Sequence, residues 1–216
     1  IMAGKEIELP APKPVRGLTF AILKTVAMEK VVDLPRKAFQ NSIDKLQKAG
    51  ASISEISVSS VDEAMDLTGL LYSPEAYATW KHKIEKSPDL MFAKILERFR
   101  SGANVLASDF IHAWDKLVDL RQQYHSEVEA FDAIVIPTSP IIPPEIGRLM
   151  KDGDFYNSQN LLALRNTRIG NLMGGCSITL PTDTPSCGLL IMGRPNEEAR
   201  LLRLAQACEL VLARNR

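Results

Sequence analysis

The segment from residue 165 to 181, RNTRIGNLMGGCSITLP, places Gly170, Gly174, Gly175, Asn171, Cys176 and Ser177 beside an apolar run. Three chemistries could use such a set. A phosphate loop requires a glycine-rich turn from strand into helix, with a lysine directly after the last glycine. Here Gly175 is followed by Cys176, and the element order reads helix, glycines, strand, which offers an anion the wrong end of a helix. A nucleophile at Cys176 or Ser177 requires an activating base. A serine elbow would set Ser177 between glycines at a strand-to-helix turn, and the nearest histidine in sequence is the distant His125. The third reading, a glycine turn that delivers a strand beside a pocket, fits best.

The other candidates are sparse. His112 follows Asp109 by three residues and can share its helix face, but two groups fall short of the three protein ligands zinc usually takes. His82, His112 and His125 read as helix-surface or interface histidines, and no metal or cofactor is expected. Glu75 follows Pro74 in a mostly apolar stretch, where it either points to a pocket or starts a helix. Asp132 opens a strand, an ordinary place for a turn carboxylate. Thr138 and Ser139 follow a strand end, where sites of open α/β sheets gather.

The elements that must position these residues alternate between strand and helix. GLTFAIL from Gly17 is a short apolar strand, and TVAMEKVVD is ambiguous and open to a loop reading. LPRKAFQNSIDKLQKA, from Leu34 to Ala49, sets Leu34, Ala38, Ile43 and Leu46 on one helical face between Pro35 and the stop at Gly50. SISEISVSS follows as a second strand. Residues 61 to 80 give a helix with a break near Ser73 and Pro74. A serine-capped helix then runs from Ser87 to Gly102, and a long one from Val105 to Ala130. FDAIVIP is a strand ended by the donor-less prolines 137, 140, 143 and 144. A helix over 158 to 170, the strands CSITLP and CGLLIMG, and a final helix capped by Asn196 complete the chain. That helix turns Leu201, Leu204, Ala205, Cys208 and Leu212 inward. The expectation is an α/β fold, a mixed sheet flanked by helices and covered on both faces.

Composition narrows the function. The 216 residues are 45% apolar and 24% charged, with 26 basic and 26 acidic side chains interleaved, so no basic stripe marks a nucleic-acid partner. No apolar run is long enough to span a bilayer, and no membrane partner is expected. Three widely spaced cysteines, 176, 187 and 208, fit a reducing, cytoplasmic compartment better than a disulfide scaffold. IMAGKEIELPAP lacks the basic-then-apolar pattern of a signal peptide. The first residue is Ile, and the sequence is expected to begin inside a longer protein.

Four stretches together carry a resemblance. GLTFAIL with FQNSIDKLQKAGASISEISV, then FDAIVIPTSPIIPP, TRIGNLMGGCSITLP and CGLLIMGRPNEEARLLRLAQACE resemble, in this order, the C-terminal half of the amidase-signature family. The likeness covers about residues 15 to 212. It implies residues 1–16 as an extended lead-in and 17–216 as the C-terminal portion of a single α/β amidase-like domain. It also implies an amide C–N bond hydrolase whose serine, cis-serine and lysine relay lies upstream. No glycine-glycine-serine-serine stretch occurs here, so no catalytic residue is carried over. The resemblance implies pocket-lining roles for Thr138, Asn171 and Cys176. A proline is usual where Cys176 stands, and an arginine is common where Leu117 stands. The partners implied are a small amide substrate and the missing N-terminal half, with self-association through the apolar surface that this half would cover. An amidotransferase subunit fragment and a non-catalytic α/β binding or interaction domain remain the alternatives. A cysteine hydrolase of another family is the third.

Overall fold

The computed structural model describes residues 14–213, so most of the expected lead-in lies outside the described residues. Two compact units emerge. One comprises the chain up to Val58 together with His125 onward, and the other is Ser59–Tyr124.

The first unit holds a five-stranded mixed sheet: β1 (Thr19–Leu23), β2 (Ser52–Ile56), β3 (Ala133–Pro137), β4 (Ser177–Pro181) and β5 (Gly188–Met192). Their order is β2-β1-β3-β5-β4, with β1 parallel to both β2 and β3, and β5 antiparallel to both β3 and β4. Between β1 and β2 runs the helix α1 (Asp33–Lys48), as a parallel pair requires. Strand alternation gives the sheet two different faces. Phe20, Ile22, Ala133, Val135, Leu180, Leu189 and Ile191 form a core with Phe39, Ile43 and Leu46 of α1 and with the closing helix α9 (Glu198–Ala213). All five residues expected to point inward from α9 are buried. Each such side chain contributes about 1.5–3 kcal/mol of burial. On the second face, α8 (Arg165–Met173) covers the middle of the sheet, with Gly170 lying against Ser177 and Met192. Ser177, Thr179 and Pro181 on that face of β4 stay exposed, so the sheet is covered on one face and only partly on the other.

The second unit is helical: α2 (Ser59–Asp66), α3 (Thr68–Lys86), α4 (Ala93–Ser101) and the greater part of α5 (Ala107–Glu127). The expected break at Ser73 and Pro74 is absent. The helix is interrupted at Leu67, and α3 continues through Pro74. A proline there forfeits one ladder bond, and the site is packed closely. A Cβ added at Gly102 would lie 2.1 Å from the Ser73 carbonyl oxygen, so only glycine lets the 3-10 turn Gly102–Asn104 approach that peptide. Ser87 makes no side-chain cap; a 3-10 turn, Pro88–Leu90, precedes α4.

Back in the first unit, the ambiguous TVAMEKVVD contains a 3-10 turn, Val26–Met28, whose amide at Ala27 donates to the Thr25 hydroxyl. Helices α6 (Ile146–Lys151) and α7 (Gly153–Ala163) precede α8, so helix extends beyond the expected 158–170 on both sides. Asn196 does not cap α9. Its φ of 61° is left-handed, whereas an N-cap is extended, and the helix begins two residues later.

Candidate functional site

The parallel strands β1 and β3 end together, and the loops leaving them are tied by two buried polar side chains at the start of α8. Asn166 donates from Nδ2 to the carbonyls of Ala27 at 3.0 Å and Pro137 at 2.7 Å. Arg165 donates from Nη2 to the carbonyls of Ala27 at 3.2 Å and Glu29 at 2.7 Å, and from Nε to the Asn166 Oδ1 at 3.1 Å. Burial lowers the Arg165 pKa from its ordinary value, and the charge of Glu29 opposes that shift. Backbone carbonyls buried here require donors, and these two side chains supply them. Sequence reasoning misses both residues. The signal that could have found them is a long cation and an amide adjoining the buried positions Ile169, Leu172 and Met173.

Thr138 sits just beyond β3. Its amide donates to the Gly188 carbonyl at 2.9 Å and its hydroxyl to Thr179 Oγ1 at 3.2 Å. Gly188 makes room for this pair: a Cβ there would meet Thr179 Cγ2 at 2.6 Å and Thr138 Oγ1 at 2.7 Å. The result is a hydroxyl platform on the open face of β4, formed by Thr138, Thr179 and Ser177.

Cys176 lies elsewhere. It precedes β4 at the opposite end of the strands, roughly 15 Å along the sheet from Thr138. It also turns to the other face, against Gly193 and Leu201. Its thiol donates to the Arg194 carbonyl at 3.1 Å. Burial, then the charge of Glu198, raises its pKa and keeps it protonated. Asn171 is exposed on α8, and its carbonyl accepts the Gly174 amide at 3.3 Å. The fold thus brings Thr138 to Thr179 and does not bring it to Cys176.

The glycine turn is built as its composition requires. Gly174 ends α8 in the left-handed region at φ 69°. A Cβ on Gly175 would stand 2.4 Å from the Gly193 carbonyl oxygen. His125, remote in sequence, reaches this turn and donates from Nε2 to the Met173 carbonyl at 3.0 Å. It acts there as a cap on the last turn of α8. His82 and His112 are exposed on helices, as expected. Glu75 is exposed in the middle of α3, not at a helix start. Asp132 exceeds its expected turn role. Its Oδ2 accepts from the Thr19 amide at 2.9 Å and hydroxyl at 3.1 Å, and its Oδ1 from Arg200 Nη2 at 2.7 Å, joining β1, β3 and α9.

Hydroxyls at Thr138 and Thr179 can donate to or accept from an amide, while the Cys176 thiol is held neutral by burial. A hollow of about 390 Å³ lies on the Pro181–Cys187 turn and a water-sized cleft of about 10 Å³ beside Lys45 and Asp183; neither is lined by Thr138, Asn171 or Cys176. Among the described residues no group of three or more His, Cys, Asp or Glu could hold a metal ion. No described helix is long and apolar enough to cross a membrane.

Comparison with known proteins places this arrangement. The chain is 27% identical over 218 residues to 2-amino-5-chloromuconic acid deaminase of Comamonas testosteroni, covering 94% of this chain and 46% of that protein. It is 27% identical over 201 residues to an amidase of Pseudomonas putida, with 90% and 43% covered. To a glutamyl-tRNA(Gln) amidotransferase subunit of Sulfurisphaera tokodaii the identity is 23%, with 96% and 48% covered. Allophanate hydrolase of Kluyveromyces lactis shares the fold at a TM-score of 0.80 and 18% identity, over 98% of this chain and 35% of that one. The chain therefore spans about half the length of the curated relatives it matches. Residues 3–202 match the amidase family throughout, and the chain belongs to that family.

Proposed function

We propose that this chain is the C-terminal, non-catalytic portion of a larger amide-processing polypeptide, either a hydrolase or one subunit of an amidotransferase. Residues 17–216 contribute the sheet, its helices and a wall of the substrate pocket to one amidase-like domain. The serine, cis-serine and lysine relay that attacks the amide carbonyl belongs to the part outside this chain. The observation that carries the reading is the span: a family match over residues 3–202 that covers less than half of the deaminase and the amidase. The side chains agree with it, because Cys176 is held neutral against Arg194 and Thr138 is engaged with Thr179.

In this reading Thr138 and Asn171 line the pocket for a small amide. Cys176 holds the glycine turn that presents the wall, from behind. The relatives named as glutamyl-tRNA(Gln) amidotransferase subunits favour the transferase as the whole protein, with ammonia passed to a second substrate instead of released. Ammonia production from simple amides and from glutamine tests the proposal. The 216 residues alone are expected to give none, and the polypeptide extended by its upstream coding sequence is expected to give it. Turnover by the 216 residues alone, abolished by Ser177→Ala or Cys176→Ala, would overturn it. Dependence of turnover on an added acceptor separates transferase from hydrolase.

A further inference from the structure

Arg165 is the only charged side chain among the described residues that is buried, with 7% of its surface exposed. Charged groups are seldom buried without a partner of opposite sign. None is bound to this one. The charge of Glu29 acts on it through space, but the Glu29 side chain is exposed and forms no ion pair with it. The donors of the guanidinium are unevenly used. Nε is engaged by Asn166 Oδ1, and Nη2 by the carbonyls of Ala27 and Glu29. Nη1 carries two further N–H groups. It has no acceptor among the described residues, and it is not one of the unpartnered atoms sealed from solvent.

The groups that hold Arg165 fix where this nitrogen opens. The Ala27 and Glu29 carbonyls belong to the loop leaving β1, and Asn166 also binds the Pro137 carbonyl at the end of β3. Open α/β sheets bind ligands in the crevice beyond such strand ends. Thr138 follows Pro137 directly. Asn166 shows that a neutral amide can serve these carbonyls. A guanidinium adds a full charge, whose burial is costly unless an anion meets it. Nη1 only donates, so its ligand must accept, and an ionised acceptor bonds about twice as strongly as a neutral one.

We propose that Arg165 is a carboxylate-binding residue, and that the carboxylate is carried by the amide substrate, away from the scissile bond. The proposal rests on the reading of this chain as a wall of an amide-processing pocket, and narrows the substrate to amides that bear a free carboxylate. Asn166 is the positioning residue, since its Oδ1 holds Nε and so orients the guanidinium.

The polypeptide extended by its upstream coding sequence is assayed with succinamate and butyramide, which match in chain length and differ in the carboxylate. Succinamate is expected to show the lower KM. Arg165→Gln is expected to raise that KM roughly tenfold to a hundredfold, the loss of one charge-assisted hydrogen bond. The KM for butyramide is expected to change by less than about threefold. Arg165→Lys keeps the charge and is expected to keep most of the preference. Equal use of the two amides by the unaltered polypeptide would overturn the proposal without any variant. So would equal losses with both amides in Arg165→Gln, which would assign the carboxylate to the part outside this chain or leave Arg165 a loop tie alone. Succinate binding, followed by calorimetry on the same polypeptide, separates the site from the functional reading. Binding that Arg165→Gln abolishes, without ammonia from any amide, rejects the functional reading and keeps the site. Ammonia release without succinate binding rejects the site alone.

Discussion

At the scale of single residues, Asn166 shows how one side chain can hold two loops. It is fully buried, and its amide nitrogen serves the carbonyl that ends β3 and that of Ala27 in the 3-10 turn after β1. Asn166→Ala would leave both carbonyls short of a donor, at a cost of roughly 2–4 kcal/mol. Urea denaturation is expected to show that loss with an unchanged m-value. The Cys176 thiol gives a second case, a reactive type engaged by the Arg194 carbonyl and packed against the core. Neither outcome was legible in sequence. Residue types were plain, but their partners at 27, 137 and 194 lie far along the chain. The sequence also understated Asp132, whose partners Thr19 and Arg200 meet it only in the fold.

At the scale of elements, the turn between α8 and β4 sets the direction of the edge strand. Gly174 needs a left-handed φ, whereas Gly175 needs the absence of a side chain. Gly174→Ala is expected to cost about 1 kcal/mol, the conformational penalty alone. Gly175→Ala is expected to cost more, at least about 2 kcal/mol, because its Cβ must displace the Gly193 carbonyl beside the Cys176 ladder bond. Thermal unfolding of the two variants ranks them, and a larger shift for Gly174→Ala would contradict this assignment. Strands were the most legible elements: all five were expected, four with ends within two residues, whereas the second was expected to run to Ser60 and stops at Ile56, with Ser59 and Ser60 opening α2. Helix breaks were the least legible. Pro74 looked decisive locally, yet packing of Gly102 against its peptide sustains α3 through it.

At the scale of the whole molecule, stability and pH are coupled through groups that fold into apolar surroundings. Burial pushes the Cys208 thiol up to about 12 and the Tyr124 phenol well above its ordinary value. Both groups therefore hold their protons more tightly folded than unfolded. The sign follows: their stabilisation is complete below the unfolded pKa and is lost as pH rises through the folded one. For Cys208 that window opens near the ordinary thiol pKa of about 8.5, with a slope of up to about 1.4 kcal/mol per pH unit. Cys208→Ala is expected to flatten the decline of unfolding free energy between about pH 9 and 10, whatever it does to the absolute level. An unchanged slope would show that the thiol is not buried in solution.

The sequence alone determined the alternation of strands and helices, the inward stripe of α9, the glycine turn and the family. Each is written in local periodicity, in turn residues or in ordered motifs that need no knowledge of distant contacts. Tertiary structure alone decided that Thr138 meets Thr179 while Cys176 faces the opposite side of the sheet. It also decided that Arg165 and Asn166 tie the loop after β1 to the end of β3, and that β4 is an edge strand. These depend on strand order and register, which are set by pairings between residues far apart along the chain. A residue's face follows from its neighbours in sequence, but what meets it there follows from the pairing of the strands.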